Sequence, residues 1–489
     1  MWQNFVTFYS YFVFVYSLLL IFMYVFLLVN AYLYANRYQN WTKSYLKNIV
    51  DKSPYTPGVS IVAPAYNEEV TIYDNVTSLM KMEYPKFEIV IVNDGSKDKT
   101  LEILINSFDM VEVPYDYVYH VHCQPFKRLF KSKNPKFSKL VVVDKTNGGT
   151  KADAVNGGLN VARYPLFINT DVDCILEHDA MYECVFPVLQ NHNVIAVSGT
   201  MSMSNGMILN EDLEIVEYKA DSNPIPLFQD LEYKRSFLVG KMGWSNINAM
   251  PNVSGGYGLF DTSVAIAAGG YGYDSFAEDM DMIARMVRYC CDFNRSYQVL
   301  QIPHNCCWTE GPSTLSILSR QRTRWGRGLI QLLHQHRRMI CNPKYRRFGL
   351  ITLPYIVLFE FLAPIIEFIG IILLTVQLCS GAINWGSFWI MFAAIYAFSF
   401  MLSSFVVFYD FIQGCSYTRL QNYLKLLLAA SLEPFVYHPF VTYSSLKGYV
   451  GYIFGTQAKW KSITRTGTKK TSTTPTTPSG SVNPANPVQ

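Results

Sequence analysis

Leu166-Phe167-Ile168-Asn169-Thr170-Asp171-Val172-Asp173-Cys174 (LFINTDVDC) is the stretch from which the fold is read. A short apolar run ends in two carboxylates, Asp171 and Asp173, one residue apart. Such a run, bounded by polar turn residues, reads as a buried β-strand. Ligands of an open α/β sheet collect outside the carboxyl ends of its strands. Two carboxylates there suit a hard divalent cation, Mg2+ or Mn2+, that keeps open positions for substrate phosphate. The same residues also suit the start of a helix, because Asp173 and Asp179 flank a helical stretch. The neighbouring stretches decide between the two.

Upstream, Val59–Ala63 (VSIVA) runs into Pro64-Ala65-Tyr66-Asn67-Glu68-Glu69, and Val70–Met82 has helical spacing. Phe87–Val92 is a second strand ending in Asn93-Asp94-Gly95-Ser96. Two strands that end in acidic turns on either side of a helix make a βαβ unit with a polar crevice. Tyr66, Glu68 and Asp94 outline a nucleoside-sized pocket there. Val111–Lys139 reads as a strand plus surface loop, and Leu140–Val143 as a further strand leading into Asn147-Gly148-Gly149-Thr150-Lys151. The glycines let that loop approach a ligand, and Lys151 opens a helix whose N-terminus favours an anion. The Walker pattern is absent.

Downstream, Asn193–Thr200 is a strand, Met201–Asp221 an acidic excursion and Leu227–Trp244 a helical stretch. Asn252–Phe260 (NVSGGYGLF) reads as a turn and strand, with Gly255 and Gly256 passing under a bound sugar. Gly269–Asp274 (GGYGYD) lacks the preceding strand that a dinucleotide loop requires. Ser275–Asp281 begins an amphipathic helix, and the ordinary helix-dipole preference alone accounts for two of its acids Glu278, Asp279 and Asp281.

The chain has 489 residues, 50% hydrophobic and only 16% charged, which points to a membrane protein. A net charge of +4 is too small to argue for nucleic acid. Phe8–Tyr34 carries no charge and is long enough to span a bilayer. It lacks the basic start and small-residue cleavage site of a signal peptide. Arg37, Lys43, Lys47 and Lys52 follow it and place the next domain in the cytoplasm. Ser319–Arg338 interleaves cations with apolar residues, as in a helix lying on a membrane surface. Leu350–Leu378 and Trp385–Phe411 are two further spans, and Glu360 and Glu367 share a face too costly for lipid. Leu424–Tyr443 contains Glu433-Pro434 and His438-Pro439, so a helix there is expected to kink or break. Lys459, Lys461, Arg465, Lys469 and Lys470 argue for a cytosolic end, which leaves crossing and re-entry both open. The ten cysteines lack zinc spacing and read as reduced thiols. The expected organisation is a span at 8–34, a catalytic domain at 55–312, an interfacial helix at 313–345, a membrane region at 350–454 and a disordered tail at 465–489.

Taken in order, Pro64–Glu68, Asp94-Gly95-Ser96, Lys151 with Asp153, Asp171-x-Asp173, Glu278-Asp279 and Gln321-x-x-Arg324-Trp325 resemble one motif series. It is that of the processive, membrane-embedded family 2 glycosyltransferases, which include hyaluronan, chitin, cellulose and poly-N-acetylglucosamine synthases. The resemblance implies an α/β, GT-A fold, a Rossmann-like mixed sheet flanked by transmembrane helices at the cell membrane. It implies a hexosyltransferase that moves a sugar from a UDP-sugar, with inversion, to a growing β-linked polysaccharide coupled to export. In that reading Tyr66, Glu68, Asp94, Lys151 and Asp171 bind the nucleotide-sugar donor. Asp171 and Asp173 hold Mg2+ or Mn2+. Asp279 is the base beside Glu278, Arg324 faces the diphosphate, and Gln321, Trp325, Gly255 and Gly256 meet the acceptor. Membrane lipids are partners and nucleic acid is not. A single span before the catalytic domain, fewer than in many relatives, leaves room for an accessory membrane subunit. The base motif departs from the family in Ala277, where Thr or Gly is usual, and no PilZ-like domain is present. Two rivals share part of the pattern. Non-processive transfer to a polyprenyl phosphate would use the first four motifs, but not the complete Gln-x-x-Arg-Trp. A non-enzymatic membrane scaffold of the same fold would not need every chemical position intact.

Overall fold

A computed structural model of the chain describes residues 2–38, 43–172, 174–210, 215–413, 417, 419–455 and 469–470. The chain enters through α1 (Trp2–Tyr38) and α2 (Lys43–Lys52). β1 (Val59–Ala65), α3 (Ile72–Met80), β2 (Phe87–Asn93), α4 (Thr100–Ser107), β3 (Met110–Glu112), β4 (Phe126–Ser132) and β5 (Leu140–Lys145) follow. Next come α5 (Lys151–Leu159), β6 (Leu166–Thr170), β7 (Ile175–Leu176), α6 (Ala180–Gln190) and β8 (Val194–Met203). The excursion holds the short β9 (Ile208–Leu209) and β10 (Ile215–Glu217). α7 (Pro224–Lys234) continues through a π-helical turn, Arg235–Lys241, into α8 (Met242–Asn246). The domain closes with β11 (Tyr257–Asp261), α9 (Thr262–Ala267), α10 (Glu278–Asp292), β12 (Gln298–Thr309) and α11 (Leu315–Gln335). Beyond it lie α12 (Leu353–Tyr355), α13 (Leu362–Ser380), α14 (Trp385–Gln413), α15 (Leu420–Ile453) and β13 (Lys469–Lys470).

The main sheet has ten strands in the order β3-β4-β5-β2-β1-β6-β11-β8-β12-β7. Its centre, β5-β2-β1-β6, is parallel, and β11 is inserted antiparallel to both β6 and β8. Every residue of β2, β5, β6 and β8 is buried. That is why these strands read as unbroken apolar runs, since helices cover both faces of a parallel sheet. Register then places the chemistry. Ala65, Asn93 and Asp144 are paired neighbours, so the turns after β1, β2 and β5 leave from one edge. Tyr257 pairs with Thr170, so the antiparallel β11 brings Gly255 and Gly256 to that same edge.

Three helical stretches, Asn4–Arg37, Phe348–Ser380 and Trp385–Ile412, are long and apolar enough to cross a membrane. The second is π-helical over Phe348–Thr352 and Ile356–Phe361. The C-terminal part of α1 docks on the sheet domain: Leu27, Ala31 and Tyr34 are buried, and Tyr34 donates to the Gln301 carbonyl at 2.9 Å.

α15 runs as one helix through Pro434 and Pro439, so the chain does not break there. Side chains beside each proline are tied to other elements: Glu433 to Arg235, Tyr437 to Arg322, and His438 to Glu367 at 3.0 Å. Tertiary contacts thus hold the helix across the lost backbone bonds. α15 packs along α11. A Cβ on Gly326 would fall 2.6 Å from the Ser445 carbonyl, and one on Gly448 would fall 2.3 Å from the Thr323 carbonyl. The two backbones touch where only glycine fits. Within the tail, Lys469–Lys470 pairs with β9, while Lys459, Lys461, Arg465 and residues 471–489 lie outside the described residues.

Candidate active site

Two turns interlock at the first strand ends. Asp94 donates its backbone N–H to the Ala65 carbonyl at 3.0 Å. Asn67, at a φ of 57°, donates its N–H to Ser96 Oγ at 3.0 Å and accepts from Lys97 N at 2.8 Å. Glu68 donates its N–H to Thr100 Oγ1 at 2.8 Å, and Thr71 Oγ1 donates to its carboxylate at 2.9 Å. Tyr66 and Glu68 are therefore half-buried beside the turn after β2. Asp94 is placed differently from an open pocket wall. It is buried, with its carboxylate 2.6 Å from Lys145 Nζ and accepting from Gly148 N at 3.1 Å. Burial pushes its carboxyl pKa up, against the pull of Lys145. Lys145 also binds Asp153 and the Thr146 carbonyl. Asp94 thus shapes the Thr146–Thr150 loop from beneath.

Lys151 is the first residue of α5, whose cap is Thr150 Oγ1 accepting from Asp153 N at 3.3 Å. Its ammonium is 2.6 Å from Asp171 Oδ1 and donates to the Gly255 carbonyl at 2.7 Å. Burial works to lower its pKa, but Asp171 and Glu278 outweigh that and the group titrates above an ordinary lysine. A Cβ on Gly255 would lie 3.6 Å from Lys151 Nζ and 3.8 Å from Glu278 Oε1. Thr170 Oγ1 donates to the Gly256 carbonyl at 2.9 Å and pins this turn to the end of β6. Lys151, Asp171, Gly255 and Glu278 are therefore one cluster.

The three acids at the start of α10 part company. Glu278 is buried, and burial raises its pKa while Arg324 and Lys151 oppose the rise. Asp281 is fully buried, 2.7 Å from both Arg285 Nε and His336 Nε2. Burial would raise its pKa, but these partners hold it below the ordinary carboxylate value. Only Asp279 is half-exposed, oriented by Asn252 Nδ2, which donates at 2.7 Å, and by Met280 N at 2.9 Å. α11 grips the loop in front of them. Gln331 accepts from Phe276 N at 3.1 Å and donates to the Asp274 carbonyl at 3.0 Å. A Cβ on Gly328 would fall 2.8 Å from both the N and the Cβ of Ala277, so a small residue at 277 suits this contact. On the same helix Trp325 is half-buried over the Arg322 guanidinium, 4.3 Å from its ring centroid, and Gln321 keeps a buried carbonyl oxygen without a partner.

Of the metal-binding pair, Asp173 lies outside the described residues. Asp171 is 36% exposed with one oxygen on Lys151, so a hard oxygen donor stays available to a cation. Among the described residues no three His, Cys, Asp or Glu side chains gather into a metal cluster.

Sequence reasoning missed four buried cations, and Lys234, beside Asp410 at 3.1 Å, is one of them. Lys145 was hidden as the last residue of a strand. Arg322 fills a variable position inside Gln-x-x-Arg-Trp. Lys241 is 5% exposed, with its ammonium 4.3 Å from the Phe237 ring centroid. Burial pushes its pKa down to about 8, and the charge of Asp279 opposes that fall.

The chain is similar to several known proteins. The family described as glycosyl transferase family 2 matches residues 60–117, and glycosyl transferase family group 2 matches residues 213–431. The poly-beta-1,6-N-acetyl-D-glucosamine synthase of Staphylococcus epidermidis ATCC 35984 is 26% identical over 295 residues, 60% of this chain and 60% of that protein. The synthase of the same name from Staphylococcus aureus COL is 26% identical over 62% of this chain and 60% of its own length. The chain thus spans about 60% of the length of these relatives. Among solved structures, a mannosyltransferase from Pyrobaculum calidifontis in complex with GDP-Man and Mn2+ aligns with 90% of this chain and 100% of its own. Its identity is 16% and the TM-score 0.48.

Proposed function

We propose that this chain, which is a family 2 glycosyltransferase, elongates a β-linked polysaccharide from a UDP-sugar at the inner face of a cell membrane. N-acetylglucosamine is the first sugar to test, because the synthases it resembles are named for that polymer. The observation that carries the reading is the cluster of Lys151, Asp171, Gly255 and Glu278 beside the half-exposed Asp279. In an inverting transfer the acceptor hydroxyl attacks C1 in line with the departing nucleoside diphosphate. Asp279 accepts the hydroxyl proton on the side of attack. Lys151 and Arg324 supply fixed positive charge where the diphosphate develops its own. Asp171, with Asp173, would hold Mg2+ or Mn2+, which neutralises diphosphate charge when bound. Trp325 offers a ring face for the acceptor sugar, and Tyr66 and Glu68 border the nucleoside.

The test is the purified chain in detergent with a panel of UDP-sugars, Mg2+ or Mn2+, and product sizing. Polymer made from UDP-N-acetylglucosamine and abolished by excess chelator is the expected result. A product one sugar long on a lipid acceptor would favour polyprenyl-phosphate transfer instead, and full turnover in chelator would remove the metal. Reporter fusions at Lys97 or Asn134 test the topology, and an outer-face signal would reject both the cytoplasmic placement and the nucleotide donor.

A further inference from the structure

We propose that Glu232 of α7 and Tyr437 of α15 are positioning residues for the acceptor platform, fixing the Arg322 guanidinium against the Trp325 indole. The inference rests on Trp325 being that platform. Arg322 is 4% exposed, and its Nη1 and Nη2 donate to Glu232 Oε1 and Oε2 at 2.7 and 2.6 Å. Nη2 also donates to Tyr437 Oη at 2.7 Å, and that hydroxyl donates to Glu232 Oε2 at 2.8 Å. The Phe228 ring packs on Tyr437, with centroids 5.3 Å apart. Arg322 Nε is buried without a partner, so Glu232 and Tyr437 supply the hydrogen bonds that locate this cation. A bidentate carboxylate pair fixes a guanidinium plane in a way that an ammonium cannot reproduce.

Arg322 and Trp325 are three residues apart on α11, a spacing that makes them neighbours on one helix face. The cation lies against the indole at 4.3 Å from the ring centroid. It therefore backs one face of the ring and leaves the other for the C–H face of a sugar. The arrangement draws on three elements, because α7 supplies the carboxylate, α11 the cation and ring, and α15 the phenol. A loose indole would still bind sugar, but a small misplacement of the acceptor hydroxyl relative to Asp279 is costly to transfer.

The experiment compares Glu232→Gln, Glu232→Asp and Tyr437→Phe in the full chain, each with Trp325 intact and as Trp325→Ala. Donor KM, donor hydrolysis and product length are read with UDP-N-acetylglucosamine as the probe. With Trp325 intact, Glu232→Gln should shorten the product by about tenfold, the scale of one charged hydrogen bond. Donor KM should stay within about twofold and hydrolysis should persist. Glu232→Asp should recover part of the length, and Tyr437→Phe should lose less than Glu232→Gln. In the Trp325→Ala background Glu232→Gln should add nothing, because the group it acts through is gone. Equal shortening in both backgrounds, or a matching rise in donor KM, would show that Glu232 only braces the helices and would overturn the proposal. Normal length from Glu232→Gln overturns it too. Normal length from Trp325→Ala alone instead overturns the platform reading, and the two failures are thereby distinguished.

Discussion

The donor edge of the sheet and the seam between α11 and α15 are built by different means. At the donor edge each functional side chain leaves a strand or helix end beside a tight turn. Lys151 starts α5, Asp171 follows β6, and the turns at Asn67 and Ser96 hold each other. At the seam, positions are set by polar groups far apart in sequence that reach α11 and α15 from other elements: Arg235 with Glu433, and Arg322 with Glu232 and Tyr437. A site that grips a charged diphosphate gains from backbone fixed by the sheet. At the seam the helices themselves locate the side chains, so those residues answer to contacts that cross between helices.

Asp279 stands where the two regions meet, and its substitution should have the largest effect. Asp279→Asn removes the proton acceptor while nearly preserving shape, so transfer should fall by about 10²–10⁴-fold with donor affinity retained. Single-turnover transfer and donor binding, measured together, check this. Normal transfer would move the base to Glu278. Asp281 is not a substitute, since its two oxygens are taken up by Arg285 Nε and His336 Nε2.

Lys145 tests the donor edge alone. Lys145→Met strands Asp94 and Asp153 in a buried position, and breaking such a cluster costs about 3–5 kcal/mol. Thermal unfolding of the purified chain should show the loss, and adding Asp94→Asn should recover part of it. If Lys145→Met unfolds as wild type does, the loop beneath the donor does not depend on this cation and the contrast weakens.

The sheet, and the position of most candidate residues along its edge, were legible because their signals are local. Runs such as Ile89–Val92 are apolar without alternation, and polar turns follow them. Lys151 and the Gly255-Gly256 pair each fall within a few residues of a strand, and the acids of α10 open an amphipathic helix. The seam was not legible in the same way. Glu232 and Arg322 are 90 positions apart, and Arg322 and Tyr437 are 115 apart. No spacing rule links residues at such separations. That α15 continues past Pro434 and Pro439 was not legible for the same reason, because what carries the helix past them lies on α7 and the turn after it, α11 and α13. Lys145 was missed although it is local, since a strand-end lysine looks like a solvated one until the carboxylates of Asp94 and Asp153 are seen around it.

The smallest expected effect is also the sharpest test of the contrast, because it applies one chemical change to both regions. Thr150 caps α5 by accepting from Asp153 N at 3.3 Å, and Thr314 caps α11 by accepting from Ile317 N at 3.4 Å. Losing either cap costs about 1 kcal/mol of local helix stability. The two losses should be felt differently. Thr150 adjoins Lys151, and α5 is short, so its first turn is also the donor site. Thr150→Ala should raise donor KM by about fivefold, the equivalent of that energy. Thr314 lies about three turns from Trp325 on a helix clamped by α15 at Gly326 and by Ala277 at Gly328. Fraying of its first turn should not reach the platform, and Thr314→Ala should change donor KM and product length by less than about twofold. Thr150→Ser, which keeps the oxygen, should restore donor KM and exclude a mere loss of bulk. If Thr314→Ala shortens the polymer as strongly as Thr150→Ala raises donor KM, then α11 is held by its own local structure after all, and the seam does not set the position of Trp325.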